Sequence, residues 1–337
     1  MYDHIVSAFF GSPWALELNK YRAIADLIRL RASGGHVDAE TVAAIVGAAR
    51  QPAGRSQAGA VAVIPVYGVI SPRASLLTES SGGTSAQAVG QMIDQAAADP
   101  SIASIVLEFD SPGGSVTGMT ELAAKIRSAR ASKRIVSHVN ALAASAGYWL
   151  ASQADEVVST PSGLVGSIGV YTEHQDVSRA LDAEGITPTI ISAGEYKVEG
   201  NPYEPLTDDA RAAMQRMVDD VYGVFVGDVA RGRGVSASLV RAEYGKGRVL
   251  SAKDALAAGM IDKIATLDET IARVAAGRVT ARGARADGNL TLGTVNDVVL
   301  VDLADAARDE LMGDPVPVDT SMLADRAARL RLAEAGA

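Results

Sequence analysis

Ser145 and Lys197 are the two side chains in this sequence whose types and separation could do covalent chemistry together. Ser145 sits in Asn140-Ala-Leu-Ala-Ala-Ser-Ala-Gly-Tyr-Trp149, and Lys197 follows 52 residues later in Gly194-Glu-Tyr-Lys-Val-Glu199. The chain contains no cysteine and four histidines. Without a thiol there is no disulfide framework, no thiolate zinc site and no cysteine nucleophile. His138 and His174 have no Asp or Glu at a recognisable triad spacing and read as structural or surface residues. The pairing suggests a serine hydrolase whose base is lysine. To accept a proton near neutral pH the amine must first be neutral, which burial in apolar surroundings favours. Each residue alone also fits a plainer role, Ser145 as a packing or capping serine and Lys197 as a solvated lysine.

Two further segments supply what such a pair would need. Asp110-Ser-Pro-Gly-Gly-Ser115 follows an apolar strand and precedes a helix. Pro112 rigidifies the turn, and Gly113 and Gly114 let backbone N–H groups approach a ligand closely, as an oxyanion hole requires. The same pattern also fits an ordinary glycine-rich strand-to-helix turn, with Asp110 capping or bracing it. Ser145 falls just inside the start of a helix among Ala143, Ala144, Ala146 and Gly147, which leave room for a peptide carbonyl. Ser167, in Gly166-Ser-Ile-Gly169, is the candidate hydroxyl for orienting a neutral lysine amine.

The elements that must position these residues alternate between strand and helix patterns. Strands are expected at 61–70, 102–109, 135–139, 156–159, 168–172 and 187–192, and helices near 85–98, 116–131 and from the end of the 135–139 strand through Trp149. This is an α/β layering. Thr207 to Arg231 is a long amphipathic helix with Asp208 and Asp209 at its positive end and Gly232 and Gly234 at its stop. Ser251 and Asp254 hold the N-cap and N3 positions of another helix that Gly259 ends. Before the first strand, helical periodicity over 15–31 and 38–49 reads as an arm, joined by a linker at 51–59. The boundaries are therefore 1–55 for the helical arm and linker, 56–276 for the catalytic domain and 277–337 for a partly disordered acidic tail, with a further helix over 323–335.

Composition excludes several classes. The 337 residues are 48% hydrophobic and 21% charged, with a formal net charge of −9. Residues 287–337 carry ten acidic and four basic side chains, so much of the acidity belongs to the tail. Nucleic acid is a poor partner for such a balance, since phosphate binding needs clustered Lys and Arg. No His, Asp and Glu cluster has metal-ligand spacing, so no metal or other cofactor is implied. The N-terminus lacks a basic n-region and is broken by Gly11 and Pro13, so it makes a poor signal peptide. The longest uncharged run, 135–154, contains His138, Asn140, Gly147 and Gln153 and reads as a strand and a buried helix rather than a membrane anchor.

Taken together, Asp110–Ser115, the Ser145 segment, Gly166-Ser-Ile-Gly-Val170 and Lys197 resemble, in order and spacing, the signal peptide peptidase A (protease IV) family of serine proteases. The resemblance covers roughly residues 60–275 and includes the segment from Gly247 to Asp262. It implies a Clp protease/crotonase-like fold of repeated β-β-α units, with Ser145 as nucleophile and Lys197 as general base. It further implies an oxyanion hole from the backbone of Gly114, with Gly113 beside it, and Ala146, and Ser167 as the hydroxyl partner of the lysine. The family serine is commonly followed by two glycines, whereas here Ala146 and Gly147 follow, which keeps the backbone donor. A homo-oligomeric ring is implied as well, in which the lysine can reach a neighbour's serine. The missing membrane anchor, the helical arm with Phe10-Gly-Ser-Pro-Trp14 and the acidic tail resemble the phage and prophage head-maturation branch. The expected substrates are then scaffold, portal or capsid proteins, cleaved in the host cytoplasm inside an assembling head.

Three other readings stay open at this level. A housekeeping enzyme that degrades signal peptides would keep the chemistry and change the biology. A crotonase-type acyl-CoA enzyme would share the glycine-rich oxyanion turns, although such chemistry usually relies on carboxylates. An inactive scaffold or ring subunit would keep the fold alone.

Overall fold

The structure is a computed structural model and describes residues 13–32, 60–73, 83–277 and 298–300. Its elements in chain order are β1 (Trp14–Leu16), α1 (Leu18–Ala32), β2 (Ala60–Ser71), β3 (Thr84–Ser85), α2 (Ala86–Ala98), β4 (Ile102–Ser115), α3 (Met119–Ala129), β5 (Arg134–Ala144) and α4 (Ala146–Ala151). They continue with β6 (Glu156–Ser159), β7 (Leu164–Gly166), α5 (Ser178–Ala183), α6 (Asp208–Arg233), α7 (Ala237–Glu243), β8 (Val249–Ser251), α8 (Ala252–Ala257), β9 (Lys263–Ile264), α9 (Leu267–Ala275) and β10 (Val298–Leu300). The expected 38–49 helix, the 51–59 linker and the 323–335 helix lie outside the described residues.

The strands form one sheet with the path β10-β2-β4-β5-β6-β9, parallel throughout. Its central strands read as near-continuous apolar runs because both faces are covered. Val61, Val63, Val106, Val136 and Val158 point to one face and pack with Ile271 and Val274 of α9. Alternate residues, among them Ile64, Ile105, Leu107 and Ile135, point to the other face and meet α2, α3 and α4. In α2 the buried residues Val89, Met92, Ile93 and Ala96 follow the helical repeat, and each large one stabilises the fold by roughly 1.5–3 kcal/mol. Ser85 caps α2 by accepting from the Ala88 N–H, as its type suggested. Thr207 does the same for α6, which carries Asp208 and Asp209 in its first turn and stops at the left-handed Gly234.

Several expectations change once neighbours are in place. Asp110–Ser115 is not a turn but the end of β4, which runs on through Pro112 to Ser115. Pro112 is tolerated because β4 changes partners there. Ser111 still pairs with Ala143 of β5, whereas Gly113 pairs with Leu16 of β1, and a register irregularity separates Phe109 from Ser111. The 15–31 helix starts later, at Leu18, because residues 14–16 are drawn into the sheet as β1. Residues 168–172 contribute only a bridge at Tyr171, and 187–192 form no strand, since among the described residues none pairs with their backbone. Strands β7 and β10 had no counterpart in the sequence reading. β10 falls in the stretch assigned to the tail and pairs with the sheet edge at β2. The uncharged run 135–154 is β5 followed by the buried α4, and among the described residues no helix is long and apolar enough to cross a membrane.

Candidate active site

β5 ends by pairing Leu142–Ala144 with Leu164–Gly166 of β7, and the chain then turns sharply into α4. Ser145 is the residue on the bend. It lies one position outside the helix, as N-cap, not just inside it, and its backbone is at φ 55°, ψ −120°. L-residues rarely adopt that combination, which costs on the order of 1–3 kcal/mol and persists only where the surroundings over-determine it. Here the Ser145 N–H donates to the Gly166 carbonyl at 2.7 Å and its own carbonyl accepts from the Trp149 N–H at 2.9 Å. The result is a hydroxyl held on a strained elbow. Ser145 is 1% exposed, and its Oγ is buried with no hydrogen-bond partner.

α4 is too short to hold itself, so its position comes from its aromatic pair. Trp149 stacks on Phe225 at 4.4 Å between ring centroids and donates its indole N–H to Asp228 at 2.9 Å. Asp228 is fully buried and also bound by Arg127 and Arg231. The Tyr148 hydroxyl donates to the Met260 carbonyl at 2.8 Å. Asp228 and Phe225, some eighty residues after Ser145, and Arg127, eighteen before it, match no motif that would mark them in the sequence. They set the elbow all the same.

Facing Ser145 is the glycine pair of β4. A β-carbon on Gly114 would fall 1.9 Å from the Ile70 carbonyl oxygen, and one on Gly113 would fall 2.9 Å from the Ser145 β-carbon. Gly113 is also at φ 105°, so glycine is required at both positions. Ser111, which the sequence reading did not single out, braces this strand. Its hydroxyl donates to the Gly68 carbonyl at 2.7 Å and accepts the Gly113 N–H at 3.1 Å. Gly147 packs beneath, where a β-carbon would sit 3.1 Å from the Ser111 carbonyl oxygen. Ala146 is the first residue of α4, so its N–H has no intrahelical acceptor.

Ser167 adjoins the Gly166 that holds the Ser145 amide. It is half-buried at φ 53°, with its N–H donating to the Arg248 carbonyl at 2.8 Å. The fold thus gathers Ser145, Gly113, Gly114, Ala146 and Ser167 around the end of β5. Lys197 is not gathered with them in the single chain. It lies exposed in a turn, its N–H bonded to the Gly194 carbonyl at 3.1 Å, and it makes no hydrogen bond to Ser145 Oγ. The surrounding stretch exposes Ile186, Ile190, Ile191 and Tyr196, with Ile191 95% exposed. The two histidines hold structural places. His138 is buried in β5, and His174 lies 3.0 Å from the Asn201 carbonyl oxygen.

Comparison with known proteins identifies the family. Residues 127–280 match Peptidase family S49. The chain is 28% identical over 289 residues to the head-tail preconnector protein GP5 of Enterobacteria phage P21, covering 81% of this chain and 57% of that one. It is 29% identical over 218 residues to protease 4 of Salmonella typhi, covering 64% and 34%. Capsid assembly protease C of Escherichia phage lambda is 31% identical over 303 residues, covering 82% of this chain and 69% of the lambda protein. The largely parallel sheet with helices on both faces is the Clp protease-like fold of that family. On this similarity, which extends far beyond the segments around Ser145, the chain belongs to peptidase family S49.

Proposed function

We propose that the protein is a serine endopeptidase in which Ser145 is the nucleophile and Lys197, supplied by a neighbouring subunit of a homo-oligomeric ring, is the general base. The observation that carries this reading is the buried, uncommitted Ser145 hydroxyl on a strained elbow beside two glycines of β4. Strain at a non-glycine residue, maintained here by Gly166 and Trp149, is of the kind that clusters at active sites. The lysine half rests on a second feature. Lys197 sits on an exposed apolar stretch that a single chain leaves uncovered, which suits a subunit contact.

In this mechanism Ser145 Oγ attacks the scissile carbonyl carbon while its proton passes to the neutral Lys197 Nζ. The carbonyl electron pair moves onto oxygen, where the backbone N–H groups of Gly114 and Ala146 stabilise it, each donor contributing on the order of 3 kcal/mol, while the Gly113 N–H stays bonded to Ser111 and holds the strand in place. Collapse breaks the C–N bond, and the lysine proton goes to the leaving amine. Water then repeats the sequence on the acyl-enzyme, and Ser167 orients the amine throughout.

The similarity to a capsid assembly protease and a head-tail preconnector protein supports scaffold, portal or capsid proteins as substrates, processed in the host cytoplasm during head assembly. Co-expression with the portal, scaffold and capsid proteins of the same genome tests this. Wild-type protein is expected to shorten at least one of them, and Ser145→Ala and Lys197→Ala to leave all intact. Processing that persists in both variants would sink the assignment.

A further inference from the structure

β1 is placed as a bound peptide would be. Its three residues lie antiparallel to the glycine end of β4, with Trp14 opposite Ser115, Ala15 opposite Gly114 and Leu16 opposite Gly113. On its other edge the Trp14 N–H donates to the Tyr171 carbonyl at 2.8 Å, and the Tyr171 N–H returns a bond to the Trp14 carbonyl at 3.1 Å. The Glu17 N–H donates to the Pro112 carbonyl at 2.8 Å. Antiparallel pairs alternate between bonded and non-bonded positions, so Ala15 faces Gly114 as the next bonded pair and Trp14 turns its backbone to Tyr171. A short segment held by its main chain between two rails is how proteins take up extended peptides.

The segment also passes the nucleophile. The Ala15 carbonyl oxygen and the Ser145 β-carbon lie 2.2 and 2.9 Å from one point, the position a Gly113 β-carbon would take. β1 takes up the Gly114 side of the rail, since Gly114 faces Ala15, while the Gly113 N–H is bonded to Ser111 of its own strand whether or not β1 is present. Ala15 is 0% exposed and Leu16 is buried with Tyr21 and Ala25 against Val69 and Tyr171. Aromatic edges from Trp14 to Tyr21 and from Tyr21 to Tyr171, and an ion pair from Arg29 to Glu173 at 3.0 Å, fasten α1 across the same mouth.

We infer that residues 14–16 are an intramolecular peptide ligand of the substrate groove, and that a protein substrate gains access to Ser145 only when this segment leaves it. The inference rests on the reading of Ser145 as nucleophile. The apparent reactivity of the site is then scaled by the fraction of molecules with β1 released, and anything that pulls the arm away activates the enzyme.

Because the chain has no native cysteine, Trp14→Cys with Ser115→Cys introduces a single thiol pair at a non-bonded antiparallel position, where the spacing suits a disulfide. Ala15→Glu is the opposite variant, since a carboxylate cannot stay in a fully buried position. The readouts are labelling of the assembled full-length protein by a fluorophosphonate and hydrogen exchange at the Gly114 amide. Oxidation of the cysteine pair is expected to stop labelling and reduction to restore it. Ala15→Glu is expected to label about tenfold faster than wild type and to lose protection at Gly114. Equal labelling of the oxidised and reduced pair, an absence of cross-linking under oxidant, or an unprotected Gly114 amide in wild type would each overturn the inference. Labelling that survives Ser145→Ala would instead refute the nucleophile assignment, while the exchange at Gly114 still reports whether β1 fills the groove.

Discussion

The elbow around Ser145 and the segment around Lys197 are built on opposite terms. The serine has its amide, its carbonyl and the following helix fixed by Gly166, Trp149 and the buried Asp228 network. The lysine has a turn hydrogen bond, an exposed side chain and a row of uncovered apolar neighbours. One chain therefore completes the nucleophile half of the proposed site and leaves the base half for a second chain to finish. On the proposed mechanism, proteolysis is confined to the assembled state because the base arrives only with the second chain.

The strongest break of this contrast separates the halves between subunits. Ser145→Ala and Lys197→Ala are each expected to lower turnover by roughly 10⁴-fold or more, as loss of a nucleophile or base does in other serine proteases. If the lysine acts across a subunit contact, assemblies formed from an equal mixture should recover activity, since about one site in four then pairs a wild-type serine with a wild-type lysine. Peptide hydrolysis before and after subunit exchange measures it. No recovery in mixed rings would place both residues in one chain.

The next contrast sets stability against assembly. Asp228→Ala leaves Arg127, Arg231 and the Trp149 indole around a vacated buried position and is expected to cost about 3–5 kcal/mol, read as a fall in Tm. Ile191→Asp touches nothing buried in the chain, so the Tm of the dissociated protein should stay put while ring formation and activity fail together. A Tm drop from Ile191→Asp, or an unaffected ring, would erase the distinction between the two regions.

The same division decides what the sequence could reveal. β2, β6 and the capped starts of α2, α6 and α8 were legible because periodicity and side-chain caps are local signals. The small residues around Ser145 marked the elbow for the same reason. Residues 15–16 and 110–115 look like helix and turn in the sequence, because their extended form comes from hydrogen bonds to strands far away in the chain. Residues 187–192 have an apolar, β-prone composition that reads as a strand, yet among the described residues they pair with no strand. Asp228 looked like any acidic residue on a long helix, and only the fold brings Trp149 and Arg127 to it.

On the finished half, His138 offers a pH test. Burial and the nearby Arg273 guanidinium push its imidazole down to about 4 from the ordinary 6.5, and neither ring nitrogen has a partner. The folded chain keeps this histidine neutral, while the unfolded chain protonates it below about 6.5. Its contribution is therefore present above 6.5 and is lost as pH falls toward 4, a change of about 3 kcal/mol. Urea unfolding of wild type and His138→Phe between those two values should show a slope in the first that flattens in the second. Equal slopes would mean that another group carries the acid sensitivity.

Ser167 stands where the two halves meet, and its expected effect is the smallest. Its amide is tied to Arg248 and its neighbour Gly166 holds Ser145, so the residue belongs to the finished half by backbone, and the proposed mechanism assigns its hydroxyl to the lysine. Those two roles can be separated, because its φ of 53° is a conformation that glycine adopts more readily than serine. Ser167→Ala is expected to lower kcat by about tenfold to a hundredfold with KM nearly unchanged, the signature of a lost positioning contact rather than lost binding. Ser167→Gly should lose kcat to the same extent while Tm holds or rises by about 1–3 °C, since the left-handed strain is relieved. A kcat that survives in both variants would show that the Ser167 hydroxyl does not position the lysine.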